Sequence, residues 1–393
     1  MICKFHSNLL CFLIFNLLAF KPITAQTIYG KDKYIEYSLG KLPIIISVPH
    51  GGNLAPNDIP DRTCNNPTTV TDANTIDLAK KIDSVFIVRT GCKPHVILCN
   101  LKRTKLDANR NLTNGTCGHP IAVNAWNEFH KFIDTARFIV NQSYPNQAFY
   151  FDLHGHGNPI QRVELGYLLY DDELELDDET LNTSQYIENS SIQNLAKVNK
   201  NNFSHAQLLR GSFSFGSFLA KRSFPAVPSQ SIPRPGINTN YFSGGYNTVN
   251  HTCYNPMLDI NGVQVECNFQ KLRDTPSNRI LFALAFVESV IEYMQVHFGL
   301  NLSDCNKITN VENHNHRPPI IYPTIVGCNG ILNIMNIKNA YKITVYDQAG
   351  QLVFQNEDFK DQIQLPEMMV PGIYGLKMEM EGVMYNFRIV VLD

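Results

Sequence analysis

The chain lacks most of the signatures that would assign it to a common enzyme class. It has no GxSxG turn for a serine nucleophile, no P-loop, no strand-borne GxGxxG fingerprint and no HExxH helix. Serine hydrolases, nucleotide enzymes and the commonest metalloproteases are therefore disfavoured. No two cysteines are spaced CxxC, which argues against a structural zinc site built on thiolates. An excess of one charge is also missing. Lys and Arg number 33 against 35 Asp and Glu, a formal net charge of −2, so nothing points to nucleic acid or an anionic membrane as a partner. Charged residues are only 17% of the 393, whereas hydrophobic ones reach 44%. A packed core is available and a wholly disordered chain is excluded.

Long hydrophobic runs are scarce as well. Leu9–Phe20 is apolar over about a dozen residues, short of the ~20 that a spanning helix needs. Lys4 precedes the run and Ile23-Thr24-Ala25 follows it, so residues 1–25 read as a secretory signal peptide cut after Ala25. No later segment is expected to span a bilayer. Of the ten cysteines, Cys3 and Cys11 leave with the signal. The even number remaining in an exported chain fits disulfides.

What is present reads as an α/β domain over residues 26–305. Leu42–Val48, Val96–Cys99, Ala148–Leu153 and Val263–Cys267 are strand-like. Thr75–Val88, Asn124–Val140 and Pro276–His297 have helical spacing. The alternation predicts a largely parallel sheet flanked by helices. Residues 306–319 are polar, end in Pro-Pro and read as a linker. Residues 320–393 hold short strand-like runs separated by turn signals such as Asp347–Gly350, which predicts a small all-β sandwich.

Candidate chemistry sits where strands end, as sites do in open α/β sheets. Val48-Pro49-His50-Gly51-Gly52 and Asp152-Leu153-His154-Gly155-His156 both place a His before Gly at the end of an apolar run. Two imidazoles and a carboxylate suit catalytic zinc, and Asp72, near the start of a helix, is the candidate carboxylate. An N-cap role for Asp72 is the alternative. Asp152 is placed to fix an imidazole tautomer. Arg103–Asn111 holds two arginines and two asparagines, a donor set for a carboxylate. Glu266 lies inside a strand pattern, where it either faces solvent or does work, such as general base catalysis. Tyr241–His251, with Tyr246 and His251, suits a substrate-covering loop.

SVPHGG (Ser47–Gly52), DANR (Asp107–Arg110), DLHGH (Asp152–His156), SGGY (Ser243–Tyr246) and VQVECN (Val263–Asn268) occur in an order that resembles N-formylglutamate amidohydrolases. That family is similar to the zinc carboxypeptidases in fold and zinc chemistry. The resemblance implies zinc held by His50 and His154, with Asp72 as the best fit for the acidic ligand and Asp58 and Asp61 as rivals. It implies Glu266 and Arg103 as catalytic groups and Asn109 and Arg110 as groups for a substrate carboxylate. The C-terminal region, through YKITVYDQAGQLVF (Tyr341–Phe354), VPGIYGLKMEMEG (Val370–Gly382) and RIVVLD, resembles the sorting domain of the type IX secretion system. These resemblances imply a secreted or surface zinc amidohydrolase. Its expected partners are a small-molecule or peptide substrate with a carboxylate and the secretion machinery. A carboxypeptidase-type exopeptidase and a non-catalytic surface binding protein on a hydrolase scaffold are the alternatives.

Overall fold

The computed structural model describes residues 27–302, except 238, 256 and 257, and residues 320–392, except 323–324, 336–340, 348–349, 359–360 and 381–382. The expected signal peptide and the linker at 306–319 lie outside the described residues.

In the N-terminal part, strands β1 (Thr27–Tyr29), β2 (Ile35–Ser38), β3 (Ile44–Val48), β4 (His95–Cys99), β5 (Phe149–His156), β6 (Val163–Gly166), β7 (Ala226–Val227) and β8 (Asn261–Asn268) form one sheet. Its order is β1-β2-β4-β3-β5-β8-β6-β7. The central run β4-β3-β5-β8 is parallel, and β2 and β6 flank it antiparallel. The sheet is thus mixed, with a parallel centre as the sequence pattern predicts.

Both faces of the centre are covered, which is why β3 reads as an unbroken apolar run. Ile44, Ile46 and Val48 pack in one cluster with Leu78, Ile82 and Phe86 of helix α1 (Thr75–Thr90), which joins β3 to β4. Ile45 and Tyr150 pack in a second cluster with Ala125, Phe129, Ile133 and Ala136. These four lie on one stripe of helix α3 (Pro120–Ser143), which follows the short helix α2 (Leu112–Thr116) and joins β4 to β5. Six short helices, α4–α9, occupy residues 171–221. Helix α10 (Tyr246–His251) precedes β8, and α11 (Pro276–Phe298) closes this part against α1. Contrary to the sequence expectation, α11 is long and apolar enough to cross a membrane, although most of that stretch is buried. Its Phe282, Phe286, Val290 and Tyr293 belong to the α1-side core, so packing against the sheet accounts for the apolar composition.

Leaving β3 the chain crosses to β4 on one side, whereas β5 lies on the other. Their carboxyl ends therefore diverge between His50 and His154, a topological switch point.

Residues 320–392 carry strands β9–β16 in a five-stranded and a three-stranded sheet. Ile343, Val345, Leu376 and Ile389 of the larger sheet share one core with Ile321, Leu332 and Ile363 of the smaller. Every pairing is antiparallel except that of Ile325–Gly327 with Val383–Leu392.

Candidate functional site

Strand β5, FYFDLHGH, splits its residues by parity. Phe149, Phe151 and Leu153 enter the α1-side core, while Tyr150, Asp152 and His154 point to the other face. Neighbouring strands put polar residues on that same face: Ser47 from β3, Gln264 and Glu266 from β8. All five polar groups are buried. A buried polar face needs partners, and the partners found here are one another and the loops above them.

His50, just past β3, and His154 face each other edge to face with ring centroids 4.8 Å apart. Between them lies the Asp72 carboxylate. Its Oδ2 is 3.4 Å from His50 Nδ1 and 3.3 Å from His154 Nδ1. The ligand atoms of these three buried residues all lie within 4.8 Å of one another, so the group could hold a metal ion. The opposite nitrogens are each held by a second carboxylate. His50 Nε2 is 2.6 Å from Asp107 Oδ1, and His154 Nε2 is 2.8 Å from Asp152 Oδ2. Those contacts turn both Nε2 atoms to carboxylates and both Nδ1 atoms toward Asp72. His50 Nδ1 is buried with no hydrogen-bond partner. An orphaned imidazole nitrogen in a cradle of N and O donors fits a borderline-soft divalent cation.

The charges are consistent with this arrangement. Burial works against the ionised form of Asp72, yet His50 and His154 hold its carboxyl well below the ordinary range. Asp107 is likewise held low, burial being overridden by His50 and by Arg103. Burial would neutralise His154, but Asp152 keeps its affinity for a proton well above the usual value. Glu266, in register with His154 across β5 and β8, has Oε1 3.9 Å from His154 Nδ1. Burial pushes Glu266 up to about 7, against the pull of His154. Gln264 Nε2 donates to its Oε1 at 2.9 Å.

The loops complete the site. Arg103 Nε donates to Asp107 Oδ2 at 3.0 Å, and Arg103 Nη1 lies 3.5 Å from Asp72 Oδ1. Asn109 Nδ2 is 3.4 Å from His154 Nε2, and its Oδ1 accepts from the backbone N–H of Asn247 at 2.8 Å. Asn247 Nδ2 donates to Asp152 Oδ1 at 3.3 Å, and Ser47 Oγ donates to the same oxygen at 2.5 Å. The Cys64–Cys117 disulfide ties the segment before Asp72 to the end of α2, beside this loop.

The structure therefore brings His50, Asp72, His154, Glu266, Arg103 and Asn109 together. Arg110 is exposed beside them, its carbonyl accepting from Trp126 Nε1. Tyr246 and His251 lie further off, against α3. His251 stacks on His130 with centroids 5.0 Å apart, and Tyr246 packs near Trp126. Asp72 is no N-cap, since Asn74 holds that position, and the rivals Asp58 and Asp61 are exposed. Three residues escape a sequence reading. Asp107 reaches His50 across 57 positions. Arg62 donates to the carbonyls of Arg103, Thr68 and Asn114. Arg273 donates to those of Cys267, His156 and Ala73, collecting the carboxyl ends of β5 and β8. Their partners are backbone or distant in sequence, so only the pairing of strands reveals them.

No family model and no curated protein matches the chain. Among solved structures, one match is PorZ, an essential bacterial surface component of the type-IX secretion system of Porphyromonas gingivalis. It has 14% identity and a TM-score of 0.19, covering 22% of this chain and 13% of that one. The chain thus spans a small fraction of PorZ, and a superposition at that score carries no argument.

Proposed function

We propose that the chain is an exported zinc-dependent amidohydrolase of the N-formylglutamate amidohydrolase type, built on a zinc-carboxypeptidase-like sheet. The single observation carrying this reading is the convergence of two Nδ1 atoms and one carboxylate, each imidazole backed by its own buried carboxylate, beside buried Glu266. His50, His154 and Asp72 would hold the ion. When bound, zinc acidifies a water and polarises a carbonyl.

The chain's own groups do the rest. Glu266, buried and oriented by Gln264, takes the water's proton and returns it to the leaving amine. Arg103, fixed by Asp107, adds positive charge where the carbonyl oxygen becomes anionic. Asn109 and exposed Arg110 receive a substrate carboxylate, which reduces the entropy cost of orientation. An N-acyl amino acid or a peptide with a free carboxylate meets those demands. The C-terminal β domain is proposed as the type IX sorting domain, and the disulfide agrees with an oxidising destination.

The test is elemental analysis of the purified chain beside His154→Ala. About one zinc per chain is expected in the wild type and little in the variant. Glu266→Gln is expected to keep the metal and lose about two to four orders of magnitude in turnover of N-acyl amino acids. A metal-free wild type after zinc addition, or near-native turnover by Glu266→Gln, would end the mechanism.

A further inference from the structure

A cavity lies between the flank of α3 and Val326–Gly327 of the C-terminal region, and shares no lining residue with the His50–Asp72–His154 cluster. It encloses about 720 Å³. Trp126 and Tyr246 supply aromatic walls with ring centroids 6.0 Å apart, and the His130–His251 pair forms part of the lining.

Its charges are unequally used. Glu128 accepts from the backbone N–H of Lys31 with both oxygens, at 3.0 and 3.1 Å. Asp134 accepts from Arg137 Nη1 at 2.7 Å and lies 3.3 Å from His251 Nδ1. Both acids of the lining are thus engaged. The cations are engaged only in part, Arg137 through Nη1. The Lys131 ammonium makes no hydrogen bond or close ion pair among the described residues, and burial pushes it below the usual range against the longer-range pull of Glu128. Arg137 Nε is buried without a partner. A part-buried ammonium and an unfilled guanidinium N–H leave a cost that an anion would relieve.

We infer that this cavity is a binding site for an organic carboxylate with a flat apolar body, the body lying against Trp126 and Tyr246 and the carboxylate meeting Lys131 and Arg137. The inference does not rest on the hydrolase reading, because no candidate metal ligand lines the cavity.

Trp126 is the only tryptophan in the chain, so its fluorescence reports this cavity directly. The full chain is titrated with 3-phenylpropanoate, with 3-phenylpropan-1-ol as the uncharged control. A saturable change in Trp126 emission is expected. The alcohol is expected to bind roughly tenfold or more weakly, and Lys131→Met to lose a similar factor for the acid. His154→Ala is expected to bind the acid like wild type. Circular dichroism of Lys131→Met, and the parallel variant Lys131→Glu, separate a lost charge from a lost fold. No saturable change, equal binding of acid and alcohol, unaltered binding by folded Lys131→Met, or loss in His154→Ala would each overturn the site. The last would assign the binding to the metal cluster instead.

Discussion

Each candidate imidazole ligand depends on a carboxylate behind it. A neutral imidazole offers one lone pair, and which nitrogen carries it is decided by the opposite hydrogen bond. Asp107 makes that choice for His50 and Asp152 for His154. Asp107→Asn and Asp152→Asn are each expected to weaken metal binding about 10- to 100-fold, read by competition with a chelator. Unchanged affinity in both would mean that the rings are oriented by packing alone. The sequence discloses these two carboxylates unequally. Asp152 stands two residues before His154 on one strand, so period-two alternation places both on one face. Asp107 meets His50 only after β3 and β4 have paired, and nothing local marks it. Glu266 was legible as a carboxylate inside a strand pattern, but its buried setting beside His154 required the β5–β8 register.

The element that delivers His50 is a strand followed by two glycines, and their role is close approach. A Cβ at Gly51 would run into Thr75 at the start of α1, and one at Gly52 into the backbone of Asn100 just beyond β4. Backbone cannot move aside as a flexible side chain can. Gly52→Ala is therefore expected to destabilise by roughly 1–3 kcal/mol, seen as a lowered urea midpoint. A neutral result would mean that the β3 and β4 ends separate readily. Strands and long helices were legible because their apolar periods are unbroken: Ile44–Val48 lies within the expected Leu42–Val48, and α11 ends one residue past the expected His297. The helices of residues 171–221 were not. Each is at most seven residues long, too short for a helical period to stand out, and their ends are fixed by local caps such as Asp177 and Ser204.

Across the whole molecule, burial rather than pairing dominates several histidines far from the site. His95 is pushed down to about 3, and His205 and His297 to about 4, by desolvation. Between those values and an ordinary 6.5, the unfolded chain binds protons that the folded chain refuses. Stability is therefore complete above about 6.5 and falls as pH drops toward 4, by up to roughly 1.4 kcal/mol per pH unit for each histidine. His154 and Glu266, whose folded forms hold protons more tightly, act in the opposite sense. Urea midpoints are expected to fall steeply from pH 7 to pH 5, and a flat profile would contradict this. The Cys64–Cys117 bridge has a different consequence, one of timing. It closes a separation of 53 residues, which is about 4 kcal/mol of chain entropy in the usual account, and Asp72, Arg103 and Asp107 all lie within the loop it closes. A newly made chain with reduced thiols lacks that latch. Reduction is expected to lower thermal stability and to weaken metal retention together, as dialysis with and without dithiothreitol would measure. On the proposed reading, oxidation is then a maturation step that completes the metal cluster only where sulfur can be crosslinked.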